Sequence, residues 1–278
     1  MAPPLWVVRT AFRTVGTVAP DVAARWAERI FCRPPQHRAR EQDDGFLATG
    51  RRFSVSSEGG TLAAWEWGAG PTVLLAHGWG SRAGRFSVVG PALVAGGFRV
   101  VAHDAPGHGE SAGRQASLPQ FASALHAVAR SVGPVAAVVG HSLGGAAAAL
   151  AVRQGLAVER IVVMAAPADV EIFSYRFARS LALPATARLA MQRNLENRFG
   201  LRWADINVAR LAAGMRIPAL VVHDVSDADV PLADGEAIAR AWPGAELLTT
   251  TGLGHRGVLW DERVVRRVVD FVARLTRG

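Results

Sequence analysis

The chain has 278 residues, half of them hydrophobic, and its 31 arginines against 23 acidic residues give a formal net charge of +8. Lysine is absent, which excludes a Schiff-base mechanism, and the single cysteine, Cys32, excludes an intramolecular disulfide. The charge is uneven: residues 1–52 hold nine arginines against five acids and residues 169–216 hold eight against four, so the remainder sums to zero. No nucleic-acid-binding motif and no interleaving of aromatic with basic residues accompanies it, so nucleic acid is not an expected partner.

From Leu5 to Ile30, apolar residues recur at mostly helical spacing (Leu5, Val8, Phe12, Val15, Val22, Trp26, Ile30), with Arg9, Arg13, Arg25 and Arg29 between them. Pro20-Asp21 predicts a break into two helices. Two readings of this arm stand side by side. It is an interfacial helix giving weak peripheral membrane contact, or it packs on the core with arginine stems covering apolar surface. The second is the simpler. Arg33-Pro34-Pro35 to Asp44, which includes His37, reads as an exposed linker. The opening residues lack a basic start and a long apolar run, and no stretch has the length and purity of a membrane span. With one cysteine, these features set the expectation of a cytoplasmic protein.

From Phe53 the pattern alternates as α/β proteins do. Arg52–Ser56 and Leu62–Trp67 predict a hairpin, and strands follow near 72–76, 98–102, 134–139, 160–165, 219–223 and 245–250 with helical stretches between. The run Ala168–Arg216 interrupts this with two helix-like segments where one crossover would suffice. It predicts a small helical cap. The expected organisation is an arm and linker over 1–52, a core over 53–167 and 217–278, and a cap over 168–216. Phe173 and Phe177 on the cap are candidate substrate-binding residues.

Gly140-His141-Ser142-Leu143-Gly144 lies between the apolar run Pro134–Val139 and the strong helix former Gly145–Val152. A strand turning sharply into a helix forces its corner residue into a strained conformation and lifts a serine hydroxyl into the open. The next backbone N–H, that of Leu143, then sits at a helix N-terminus, where it can stabilise an oxyanion. A serine hydroxyl needs a histidine base and an orienting acid. Asp224, Asp227 and Asp229 follow the strand ending at His223, and His255 follows the last strand in Gly252-Leu253-Gly254-His255. No histidine pair has a metal-ligand spacing, so neither a metal nor another cofactor is expected.

Four motifs together resemble the α/β-hydrolase family: His77-Gly78-Trp79-Gly80, Asp104-Ala105-Pro106-Gly107-His108-Gly109-Glu110-Ser111, the Ser142 turn, and the pair Asp227-x-x-Val230-Pro231 with Gly252-x-Gly254-His255. The resemblance covers most of the chain from Phe53. It implies a mostly parallel eight-stranded sheet flanked by helices, carrying the cap and the N-terminal arm. It also implies Ser142, Asp227 and His255 as catalytic residues and the N–H groups of Trp79 and Leu143 as the oxyanion hole, with Gly78, Trp79 and His141 against the substrate. The implied partner is a small acyl substrate and the leading activity carboxyl-ester hydrolysis. Thioester, lactone or amide hydrolysis, acyl transfer, perhydrolysis and a non-catalytic ligand-binding role use the same constellation.

Overall fold

A computed structural model describes residues 3–35 and 40–274, so His37 lies outside the described residues. The chain opens with α1 (Leu5–Val18), α2 (Pro20–Phe31) and α3 (Glu41–Ala48), then β1 (Arg51–Ser57), β2 (Gly60–Trp67) and β3 (Thr72–Ala76). Next come α4 (Val89–Ala95), β4 (Arg99–His103), α5 (Leu118–Val132), β5 (Val135–His141), α6 (Leu143–Arg153) and β6 (Arg160–Met164). Then α7 (Ile172–Leu181), α8 (Ala185–Phe199) and α9 (Val208–Ala213) precede β7 (Ala219–Asp224), α10 (Leu232–Ala241), β8 (Glu246–Thr250), α11 (Gly254–Gly257) and α12 (Glu262–Ala273). Among the described residues no helix is long and apolar enough to cross a membrane.

All eight strands join one sheet in the order β1-β2-β4-β3-β5-β6-β7-β8. β1 and β2 pair antiparallel, as do β2 and β4, and every other pair is parallel. The central strands β3 and β5 are buried along their whole length, which is why their sequences are unbroken apolar runs rather than alternating ones. Each parallel strand ends at the same sheet edge, so the loops after β3, β5, β7 and β8 gather there. That edge is where ligands bind in parallel sheets.

The chain divides into two compact units, residues 1–33 with 169–207 and residues 34–168 with 208–278. The sheet unit holds the larger core, with Val73, Leu75, Val139, Val162, Leu220 and Phe271 among its buried residues. It also claims α9, expected in the cap, which packs with α6 and α10. α3 corrects the expected linker: Glu41–Ala48 is helical because it lays Phe46 and Leu47 into this core, Phe46 stacking on Trp67 at 4.2 Å between ring centroids. Three acidic residues in its first turn suit the positive end of a helix dipole.

In the helical unit the arm packs against the cap helices. Ala23, Ala24 and Ala27 of α2 join Ala187, Ala190 and Met191 of α8 in one buried cluster, and the small side chains let two helices approach closely. Gly16 of α1 is equally constrained, since a Cβ there would lie 2.6 Å from Pro184. Buried Gln192 donates to Glu171 Oε1 and Ser174 Oγ, both at 2.8 Å. Cys32 lies in the same buried cluster as the alanines, and burial pushes its thiol up to about 11, which disfavours the thiolate.

At the β5–α6 turn two glycines lie directly against backbone. A Cβ on Gly140 would meet Gly144 O at 2.5 Å, and one on Gly144 would drive into the carbonyl oxygens of Ala76 and His77. Backbone cannot give way as a side chain can. Gly144→Ala therefore destabilises the fold by about 3 kcal/mol, measurable as a lower thermal midpoint, whereas a midpoint within 1 °C of wild type contradicts this packing.

Candidate active site

Ser142 occupies the corner between β5 and α6 with φ 54° and ψ −125°, a conformation that costs a non-glycine residue about 1–3 kcal/mol. Its own backbone holds it there: Ser142 N donates to Met164 O at 2.8 Å, and Ser142 O accepts from Gly145 and Ala146 as α6 begins. The side chain is left partly open at the sheet edge while β5 and most of α6 around it are buried.

His255 enters from the loop after β8 and its ring lies between two partners. Nδ1 is 2.8 Å from Asp227 Oδ2 and Nε2 is 3.0 Å from Ser142 Oγ. The carboxylate can only accept, so Nδ1 carries the proton and Nε2 is left to accept from the serine hydroxyl. The other oxygen, Asp227 Oδ1, accepts from Asp229 N at 2.9 Å and Val230 N at 2.8 Å. Burial raises the Asp227 carboxyl, but the bonds from His255 and the two N–H groups outweigh it and hold the pKa below the ordinary 3.8.

Of the other two aspartates, neither is hydrogen-bonded to His255. Asp229 is exposed. Asp224 is fully buried and accepts four bonds, from Ser226 N (2.8 Å), Thr250 Oγ1 (2.7 Å), Leu253 N (3.1 Å) and Gly254 N (2.9 Å). It fastens the acid loop to the histidine loop. No spacing in the sequence announces this role, because the partners on the histidine loop lie some 30 positions away. His223 supports the acid loop from close by: its Nε2 donates to Val230 O at 2.9 Å and lies 3.6 Å from Asp227 Oδ2.

The loop after β3 runs beside the serine, where a Cβ on Gly78 would be 2.8 Å from Ser142 Cβ and 3.3 Å from its Oγ. Two buried imidazoles brace this loop. His77 Nε2 accepts from Ala105 N at 2.9 Å while Nδ1 donates to Gly78 O at 2.8 Å. His108 Nε2 accepts from Gly80 N at 3.0 Å, its Nδ1 donates to Pro106 O, and its ring meets Trp79 edge-on at 5.3 Å. Burial drives His77 well below the usual imidazole range and His108 down to about 4. Both are neutral props. Asp104 ties the same loops together, accepting from Ala83 N and Glu110 N. The N–H groups of Trp79 and Leu143, both half-buried, have no acceptor among the described residues.

His141 packs its ring 4.8 Å from that of His255 and donates from Nε2 to the His255 carbonyl at 2.8 Å. Burial first, and the neighbouring His255 second, push it down to about 3, so it stays neutral beside the site. Phe177 is half-buried in the helical unit, edge-on to Phe31 at 5.2 Å, and Phe173 lies under the Arg176 guanidinium at 5.6 Å. Among the described residues no three His, Cys, Asp or Glu side chains cluster as a metal ion would need.

This sheet order, with a strained serine at the strand-to-helix corner, defines an α/β-hydrolase. A family model described as serine aminopeptidase, S33, matches residues 69–212, and one described as TAP-like protein matches residues 204–276. The first spans half of the chain, which therefore belongs to the serine aminopeptidase, S33, family of α/β-hydrolases and is a hydrolase. The chain is 35% identical to a non-heme haloperoxidase of Rhodococcus erythropolis over 96 residues, about a third of either protein's length. Solved structures of similar fold include a putative lipase of Acinetobacter baumannii (TM-score 0.64, 18% identity, 87% of this chain and 99% of that one). The carboxylesterase CesB of Bacillus subtilis is another (TM-score 0.63, 20% identity, 86% and 97%).

Asp224 makes the site acid-sensitive in a defined direction. Burial raises its carboxyl, but its four donors outweigh that and depress it below 3.8. A depressed carboxylate stabilises the fold fully above its unfolded value and loses that contribution as pH falls through the folded one. Asp224→Asn strands at least one buried donor, costing about 2 kcal/mol at pH 7. Its loss of stability from about pH 5 to pH 3 is shallower than that of the wild type. Denaturant melts across this range check it, and parallel slopes contradict it.

Proposed function

We propose that the protein cleaves carboxyl esters through an acyl-enzyme on Ser142. The observation that carries the reading is the unbroken chain from Asp227 through His255 to the Ser142 hydroxyl, with distances of 2.8 and 3.0 Å.

In this mechanism the ester carbonyl sits over Ser142. Ser142 Oγ attacks the carbonyl carbon as His255 Nε2 takes the hydroxyl proton, and Asp227 stabilises the imidazolium that forms. The carbonyl oxygen becomes an oxyanion that accepts from Trp79 N–H and Leu143 N–H, the latter at the positive end of α6. Collapse breaks the ester C–O bond, and the alcohol leaves with the proton from His255. Water, deprotonated by the same imidazole, then attacks the acyl carbon, and the carboxylic acid departs from Ser142. Gly78 leaves room for the acyl group beside the serine, Trp79 offers it an apolar wall, and His141 holds the His255 backbone without adding charge. Ester cleavage leads among the possible acyl transfers because it requires nothing beyond these residues. The family description extends the candidate substrates to peptide amides, and the haloperoxidase likeness to attack by peroxide in place of water.

Ser142→Ala lowers kcat/KM for a nitrophenyl ester by roughly 10⁵–10⁶. Asp227→Asn lowers it by about 10⁴ through loss of the correct imidazole tautomer. Steady-state assays of both variants at neutral pH test the reading, and Ser142→Ala activity within tenfold of wild type ends it.

A further inference from the structure

The helical unit is built inside out along α2. This helix buries three alanines, Ala23, Ala24 and Ala27, and leaves Trp26 (43% exposed) and Ile30 (46%) outside. Val22, Trp26 and Ile30 are spaced four apart, so they form one stripe, and Arg25 and Arg29, both exposed, line its flank. The start of α1 repeats the arrangement with Leu5, Trp6 (70% exposed) and Val7 beside Arg9 and Arg13. The rest of the molecule does not share this habit. Nine of the eleven large apolar side chains left exposed among the described residues lie in the helical unit, which is about a quarter of the chain. The same unit carries eleven arginines against six acidic residues, and so most of the protein's net charge.

Exposed apolar surface of this kind asks for a cover, and the charge says which. A second copy would press two arginine-rich faces together. An anionic bilayer surface supplies phosphates for the arginines, an apolar layer for isoleucine and an interface that favours tryptophan. We infer that the helical unit docks the protein onto anionic lipid bilayers. Trp6, Trp26 and Ile30 enter the interface while Arg13, Arg25 and Arg29 meet headgroup phosphates. Among the described residues no helix is long and apolar enough to span the bilayer, so the association is peripheral and reversible.

Co-sedimentation of the full chain with vesicles of phosphatidylcholine alone, or with one third phosphatidylglycerol, tests this. Binding to the anionic vesicles is expected to exceed binding to neutral ones by about tenfold and to weaken as salt rises. A Trp26→Ser/Ile30→Ser variant and an Arg25→Glu/Arg29→Glu variant each lose about tenfold in binding while keeping the wild-type melting temperature. Equal binding to both vesicle types, or a folded variant of either kind that binds like wild type, overturns the inference. So does a dimer in sedimentation equilibrium that the Trp26/Ile30 variant dissociates, since the cover would then be a second copy.

Discussion

The backbone at Ser142 is the constraint on which the rest of the site depends. A parallel strand can pass directly into a helix only if the corner residue takes a positive φ and the flanking positions have no side chain. Gly140 and Gly144 supply the second condition, and the surrounding sheet enforces the first through the bond from Ser142 N to Met164 O. The strain is offset by the packing of β3, β5, β6 and α6, which is almost entirely aliphatic and has no slack into which the turn could relax. One consequence is that the hydroxyl stands clear of the sheet. Another is that the first N–H groups of α6 lie beside it.

Around that corner the molecule uses buried polar groups as fasteners. His77, His108 and His141 each bond to backbone at neighbouring loops, and burial keeps them uncharged. A charged imidazole at His141 would add a cation beside the His255 ring. Asp224 and Asp227 divide the acid side between them: the first ties the acid and histidine loops together, and the second faces the imidazole. Separation of the two tasks lets Asp227 keep one oxygen for His255 and give the other to its own loop.

Much of this architecture was legible in the residues. The apolar runs ending in His77, Asp104, His141 and Asp224 marked strands that the structure places at one sheet edge, because fully buried strands cannot disguise themselves among polar residues. The order of serine, aspartate and histidine was legible too, and the structure brings those three side chains together. α3 was not legible, since it offers only Phe46 and Leu47 to the core and begins with a cluster of acids that suits a linker equally well. The partner of the arm was also hidden. A stripe of alanines reads as helix filler until a second small-residue helix, here α8, is seen against it. Cross-loop bonds such as those of Asp224 leave no local spacing, and only the fold reveals them.

The central claim is that Ser142 is a nucleophile made reactive by His255. Reaction of the native protein with a fluorophosphonate probe, followed by peptide mass spectrometry, tests it most directly. The account predicts one covalent adduct per chain, on the peptide carrying Ser142, that vanishes after heat unfolding and slows steeply in His255→Ala. An unlabelled native protein, or an adduct mapped to a different residue, would contradict it.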